Sequence, residues 1–275
     1  MKRGIGLIVL MLFLLNVTVV TVGARDAIAV NSPFVYSFSQ NGILYEAGSD
    51  AETSSPYFWL NSGAKLIIEN GAGRTIQGNL LSGEKWRLIY YNSNPLDTDN
   101  GYHPQNIFRL LTRQKWKNVS QEVDFKITKD QLSSSPNRQG YNGILLMSRY
   151  LDGNNLYYAG LRTDGAVVIK KKLNGNYYTL GYKKVYPGTY DRLLNPNLIP
   201  KNRWIGIKSE VQNVNGKANI KLYLDDGNTG KWTLILDIYD DGIKWGKPIL
   251  NEGVTGIRTD FMDVEFDNYK LININ

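Results

Sequence analysis

His103 is the sole histidine of the chain, and it lies in a stretch dense in polar groups: Asp97-Thr-Asp-Asn-Gly-Tyr-His103-Pro-Gln105-Asn106-Ile-Phe-Arg109-Leu-Leu-Thr-Arg113. The stretch leads out of a loop into a run whose alternation puts Arg109, Leu111 and Arg113 on one face, with Gln105 extending that face. Arginine and amide groups of this kind neutralise a uronate carboxylate and so make its C5 proton acidic. A histidine or tyrosine can then abstract that proton. His103, Arg109 and Tyr158 are therefore the candidate catalytic residues of a polysaccharide lyase. Gln105, Asn106, Arg113, Arg162 and Tyr158 are the candidate ligand-binding residues. Two plainer readings stand beside this one. In the first, His103 orders the loop before Pro104 and the arginines line a solvated face. In the second, the set binds a ligand without chemistry.

Asp263, Glu265 and Asp267 alternate near the end of the chain, so a strand there would put three carboxylates on one face and Val264 and Phe266 on the other. Paired carboxylates about 5 Å apart are what a retaining glycosidase uses. The plainer expectation is a solvated face. Adjacent tyrosines occur at Tyr90-Tyr91, Tyr157-Tyr158 and Tyr177-Tyr178. In a strand one ring of each pair faces away from the core, where it can stack on a sugar and donate a hydrogen bond.

Several function classes are excluded outright. The chain has no cysteine, which removes disulfides, zinc–thiolate sites, iron–sulfur clusters and a thiol nucleophile. One histidine is too few for the usual zinc sites. No Gly-x-Ser-x-Gly elbow, phosphate-binding loop or dinucleotide fingerprint is present. The 32 basic residues against 25 acidic ones are scattered, without the stripe that nucleic-acid binding needs. The one tight basic run, Lys170-Lys171-Lys172, reads as a solvated strand.

The elements that position these residues begin after a leader. Lys2 and Arg3 precede an apolar run from Gly4 to Val22, followed by small-residue cleavage sites at Val22-Gly23-Ala24 and Ala27-Ile28-Ala29. Residues 1–29 are thus expected to be a signal peptide, with an uncleaved membrane anchor as the rival. Either way the rest of the chain is secreted or held at the cell surface, and a membrane is a partner only through an uncleaved N-terminal helix.

The body reads as strands. Alternating or β-rich runs include Lys65–Glu69, Trp86–Tyr91, Ile107–Thr112, Ser120–Ile127, Gly143–Tyr150, Leu156–Arg162 and Ala166–Leu173. Tyr177–Tyr182, Trp204–Val211, Ala218–Leu224, Trp232–Asp237 and Val264–Leu271 continue the series. Asp-Gly and Asn-Gly pairs lie between many of them, the signature of hairpin turns. One short helix is expected around Lys129–Leu132. About a dozen short strands point to an all-β, two-sheet antiparallel jelly-roll sandwich. Residues 30–56 are expected to form an N-terminal extension with the first strands, and 57–275 the sandwich.

Three segments carry a resemblance: YYAGLRTDG at 157–165, NRWIGIK at 202–208 before KLYLDD at 221–226, and the closing GVTGIRTDFMDVEFDNYKL at 253–271. In their order and content they resemble the concanavalin A-like lectin/glucanase superfamily, in its laminin-G-like branch. The resemblance implies two curved antiparallel sheets and a glycan as ligand. It also implies a structural Ca²⁺ at Asp267, in the closing FDN, beside an otherwise cofactor-free chain. The Arg-rich and Tyr-Lys-Gly strand motifs of alginate lyases with this fold are absent. The expected function is an exported protein that binds a polysaccharide or glycoconjugate, with an acidic polymer favoured by the arginines. A lyase, then a glycoside hydrolase, is the alternative, and a structural or adhesive envelope protein the third reading.

Overall fold

A computed structural model describes residues 23–275. The basic and apolar parts of the expected leader, residues 2–22, lie outside the described residues. Among those described, no helix is long and apolar enough to cross a membrane.

Among the described residues sixteen strands follow one another. The first five are β1 (Phe34–Tyr36), β2 (Gly42–Tyr45), β3 (Phe58–Ser62), β4 (Lys65–Glu69) and β5 (Ala72–Arg74). After a helix, α1 (Lys85–Ser93), come β6 (Ile107–Trp116), β7 (Val119–Asp130), β8 (Gly143–Asp152), β9 (Asn155–Arg162) and β10 (Ala166–Leu173). The last six are β11 (Asn176–Lys184), β12 (Ile205–Val214), β13 (Lys217–Asp225), β14 (Thr233–Asp240), β15 (Gly253–Asp260) and β16 (Met262–Asn273). They form two antiparallel sheets packed as a sandwich. One has seven strands in the order β11-β10-β9-β8-β15-β6-β3. The other has nine, in the order β14-β13-β12-β7-β16-β5-β4-β2, with β1 also paired to β16.

Alternation sorts the side chains. On β9, Tyr157, Ala159 and Leu161 enter the core between the sheets, so Tyr158 and Arg162 point outward. Phe108 of β6 stacks on Phe266 of β16 across the sandwich, with ring centroids 5.8 Å apart. A second apolar layer of Leu111, Leu145, Met147, Tyr158 and Val168 covers the outward face of the seven-stranded sheet. That face is therefore not simply solvated, and its apolar floor is what a ligand site needs.

Four expectations are corrected. Trp86–Tyr91 is not a strand but most of α1. Trp86 and Tyr90, four residues apart, fall on one helical face and pack with Ala64, Ile76 and Leu80. A nine-residue helix is marginal alone, so this tertiary packing decides its form. The segment Lys129–Leu132 is not helical, because β7 runs on to Asp130 in register with Met262. Lys171 is fully buried and paired with Asp240 of the other sheet. Asp263 and Glu265 are buried as well, not solvated.

Candidate functional site

Outward residues of five neighbouring strands meet in a groove of about 550 Å³. Tyr158 and Arg162 come from β9, Lys170 from β10, Tyr177 from β11, Leu145 from β8, and Arg258 and Asp260 from β15. Register brings them together. Lys170 lies opposite Tyr158 on one side and Thr179 on the other. Arg258 lies opposite Leu145 on β8 and Arg109 on β6. Side chains directly opposite one another are within about 5.5 Å at Cβ, so strand order, not sequence proximity, builds the site. At Gly160 a Cβ would stand 2.2 Å from the Ile144 carbonyl oxygen, so the β8–β9 contact in the groove floor admits only glycine.

The rings of Tyr158 and Tyr177 are stacked, with centroids 6.3 Å apart and planes 25° from parallel. Arg258 donates to the Tyr158 hydroxyl at 3.2 Å and to Asp260 at 2.9 Å. Burial disfavours the Arg258 charge, but Asp260 and the two tyrosines more than offset it and hold its pKa above the ordinary value. Burial pushes the Tyr158 phenol up to about 12. Burial would raise the Tyr177 phenol as well, but Arg258 and Lys172 outweigh it and hold it below its ordinary value. Arg162 donates to Asp164 at 2.6 Å. Phe261 lines the groove at the turn between β15 and β16 with φ 55°. A bulky residue in the left-handed region is strained, and such strain gathers at functional sites.

The residues singled out from the sequence are split by the fold. Tyr158 and Arg162 line the groove. Arg109 is on the same outward face as Arg162, three strands away, about 14 Å at the usual strand spacing. It stands beside Glu46 and Tyr90 and does not line the groove. His103 is outside too. Its Nδ1 meets Asp99 at 2.7 Å and its Nε2 meets Asn79 at 2.8 Å, so both ring nitrogens are engaged within the loop. Gln105 is buried and donates to Asp263 and Gly78. Asn106 is buried and donates to Asp99 and the Asp97 carbonyl. Arg113 binds the Arg25 and Ser55 carbonyls, at 2.5 and 3.1 Å. Tyr177 is the outward ring of its pair, while Lys170, Arg258 and Asp260 are groove residues that were not site candidates. The alternation Arg258-x-Asp260 in the closing segment was a usable signal for one of them.

The three alternating carboxylates do not act as a set. Asp263 accepts from Gly78, Gln105 and Gln131. Glu265 pairs with Arg74 and Lys126 at 3.0 and 2.5 Å. Asp267 falls at a register shift of β16 and accepts the Asn268 N–H. Among the described residues no group of three or more acidic or histidine side chains is placed to hold a metal ion. Asp124, near Asp267, takes the Asn268 side-chain amide N–H, and Asp225 takes the backbone N–H groups of Thr229 and Gly230 in the turn that follows it.

No protein-family model matches this sequence, and no curated protein sequence does. Solved structures do. The winged bean acidic lectin, determined with methyl-α-D-galactose, superposes with a TM-score of 0.50 at 11% identity, over 87% of this chain and 97% of the lectin. The GH43 protein BlXynB of Bacillus licheniformis superposes with a TM-score of 0.50 at 12% identity, over 90% of this chain. This chain spans 40% of the length of BlXynB. The carbohydrate-binding module CBM66 of Bacillus subtilis matches at 20% identity over 61% of this chain and 83% of the module, with a TM-score of 0.42. The lectin and the GH43 superpositions show the fold, a concanavalin A-like jelly roll of the lectin/glucanase kind.

Proposed function

We propose that this chain is an exported glycan-binding protein whose ligand lies in the groove on the outward face of the seven-stranded sheet. The observation that carries the reading is the pairing of stacked Tyr158 and Tyr177 with the guanidinium groups of Arg162 and Arg258 in one groove, with His103 outside it. Aromatic faces take the apolar faces of sugar rings, and fixed polar groups at their edge orient hydroxyls. Export rests on Lys2, Arg3 and the apolar run from Gly4 to Val22. The lectin and carbohydrate-binding neighbours support the ligand class by analogy of fold, which alone does not fix function.

A second reading, β-elimination on a uronate, draws on one observation. Tyr177 lines the groove with the Lys172 ammonium 4.9 Å from its ring centroid, and Arg258 and Lys172 together favour its phenolate, the direction a proton-abstracting tyrosine requires. In that reading Tyr177 takes the part first expected of His103.

A glycan array tests the proposal. A defined class of glycans should bind, and Tyr177→Ala should weaken that binding about tenfold, equivalent to about 1.4 kcal/mol. An array on which nothing binds overturns the function. Unchanged binding by Tyr177→Ala overturns the location. Appearance of an unsaturated product on uronate polymers, lost in Tyr177→Phe, would establish the eliminative reading instead.

A further inference from the structure

The cations of the groove are unequal. Arg162 has its counter-ion in Asp164 and Arg258 has its own in Asp260, at 2.6 and 2.9 Å. Asp97, also on the groove wall, is engaged by Ser135 and Asn137, at 2.6 and 2.9 Å. Lys170 is half-buried between these groups, and among the described residues it has no carboxylate within ion-pair distance. Its ammonium meets only the Tyr141 carbonyl oxygen at 3.5 Å, with the Tyr141 ring 5.5 Å away. A cation stripped of part of its hydration and given no partner contributes nothing to stability. For an incoming anion it is a preorganised partner, because much of its desolvation cost was met on folding. The groove is also too large for a bare inorganic anion, and its tyrosine faces suit a ring.

We infer that the groove is built for a sugar bearing an anionic substituent, a uronate carboxylate or a sulfate ester, with that substituent at the Lys170 ammonium and the sugar ring on the exposed face of Tyr177. The inference rests on the glycan-binding reading above and names the class of glycan.

The surroundings of Lys170 define how it responds to pH. Arg162 on β9 and Arg258 on β15 repel its proton, while Asp260 on β15 and Asp164 beyond β9 hold it. Tyr158 and Thr179 flank it in register, and Tyr141 and Tyr177 close the groove. Burial first, then Arg162, brings its pKa down to about 8. At pH 7 the ammonium is still about nine-tenths protonated, so the site is charged where it must work. Above pH 8 it loses that charge while carboxylates and sulfates keep theirs. An anionic ligand should therefore bind less tightly as pH rises from 7 to 9.

The test uses oligosaccharides of galacturonate, glucuronate and mannuronate, the carboxyl-reduced form of each, and a sulfated galactan, titrated calorimetrically into the full mature chain. The expected result is at least tenfold tighter binding of one acidic form than of its neutral counterpart. Lys170→Met should remove that difference, with an unaltered circular dichroism spectrum. Lys170→Arg should keep the acidic preference and abolish its loss between pH 7 and 9. Carboxylate and sulfate arms separate the two sources of charge. Equal binding of acidic and neutral forms, unchanged by Lys170→Met, overturns the inference and leaves the glycan-binding reading standing. Binding of no sugar in either form overturns both.

Discussion

The ammonium of Lys171 lies 2.8 Å from Asp240 Oδ2, with both side chains fully buried, and this pair ties β10 of one sheet to β14 of the other. Tyr157 donates its hydroxyl to the same carboxylate oxygen at 2.6 Å and accepts the Ile249 N–H at 3.0 Å. Lys171 also donates to the Gly246 and Lys247 carbonyls. One charged network thus holds the β14–β15 connection against the sandwich, directly beneath the strand that carries Lys170 into the groove.

Removing one member of that network should be costly. Lys171→Met leaves the Asp240 charge buried and unpaired, and should lower stability by about 3–5 kcal/mol. Lys171→Met with Asp240→Leu removes both charges and should be less destabilised than Lys171→Met alone. Urea unfolding of the two variants checks this. A loss under about 1 kcal/mol for the single variant would show that the pair is not dry.

The contrast between Lys171 and its neighbours shows what could be read from the residues. Ala166–Leu173 is one strand in both sequence and structure, because Val167, Val168 and Ile169 and the flanking Asp164-Gly165 and Asn174-Gly175 turns mark it. Alternation separates Tyr157 from Tyr158. It cannot say that the inward lysine of three would find an aspartate 69 residues away on another sheet. Nor can it order the strands, and the groove depends on β15 being inserted between β6 and β8. That insertion separates Arg109 from Arg162 and puts Arg258 between them. Short strands such as β1 and β5, three residues each, carry too few residues to show a period at all. His103 was marked by rarity, a property that says nothing about position.

His103 should prove structural. It links Asp99 to Asn79 across the loop that precedes β6. Burial would raise the Asp99 carboxyl, but hydrogen bonds from His103, Ser133 and Asn106 outweigh it and hold it below the ordinary carboxylate range. His103→Ala should cost about 1–2 kcal/mol through the unpaired Asp99 and Asn79 groups. Glycan binding should stay within twofold of the parent chain. Loss of turnover or binding with stability intact would return His103 to the site.

Stability should bend with alkaline pH in two directions. Lys170 has a folded pKa of about 8 against an ordinary value of 10.5. Between those values the unfolded chain binds more protons than the folded one, so stability rises with pH. The buried tyrosines act oppositely. Tyr158 and Tyr223 are pushed up to about 12, mainly by burial, and Tyr90, Tyr157 and Tyr269 further still. Their contribution is complete below about pH 10 and is lost as pH climbs toward the folded values. The urea midpoint should therefore increase from pH 8 to about 10 and then fall. Lys170→Met should flatten the first limb and leave the second.

The last expectation concerns where the proposed leader would end. Of the two small-residue sites, cleavage after Ala24 keeps residues 25–29 on the mature chain, and cleavage after Ala29 removes them. Those residues lie along the body. The Arg25 N–H donates to the Thr53 carbonyl at 3.0 Å and the Ile28 N–H to the Pro56 carbonyl at 3.2 Å. Arg113 donates to the Arg25 carbonyl at 2.5 Å, and Gln114 accepts the Val30 N–H at 2.8 Å. Removing 25–29 would strip Thr53 and Pro56 of their donors and leave Arg113 with the Ser55 carbonyl alone. Hydrogen bonds of this kind contribute about 0.5–1.5 kcal/mol each, so selection for a stable exported domain favours keeping them. The intact mass of the secreted protein should place its N-terminus at Arg25. A recombinant chain beginning at Val30 should melt several degrees lower than one beginning at Arg25. A secreted N-terminus at Val30, with equal melting temperatures for the two chains, would show that 25–29 serve only as part of the signal.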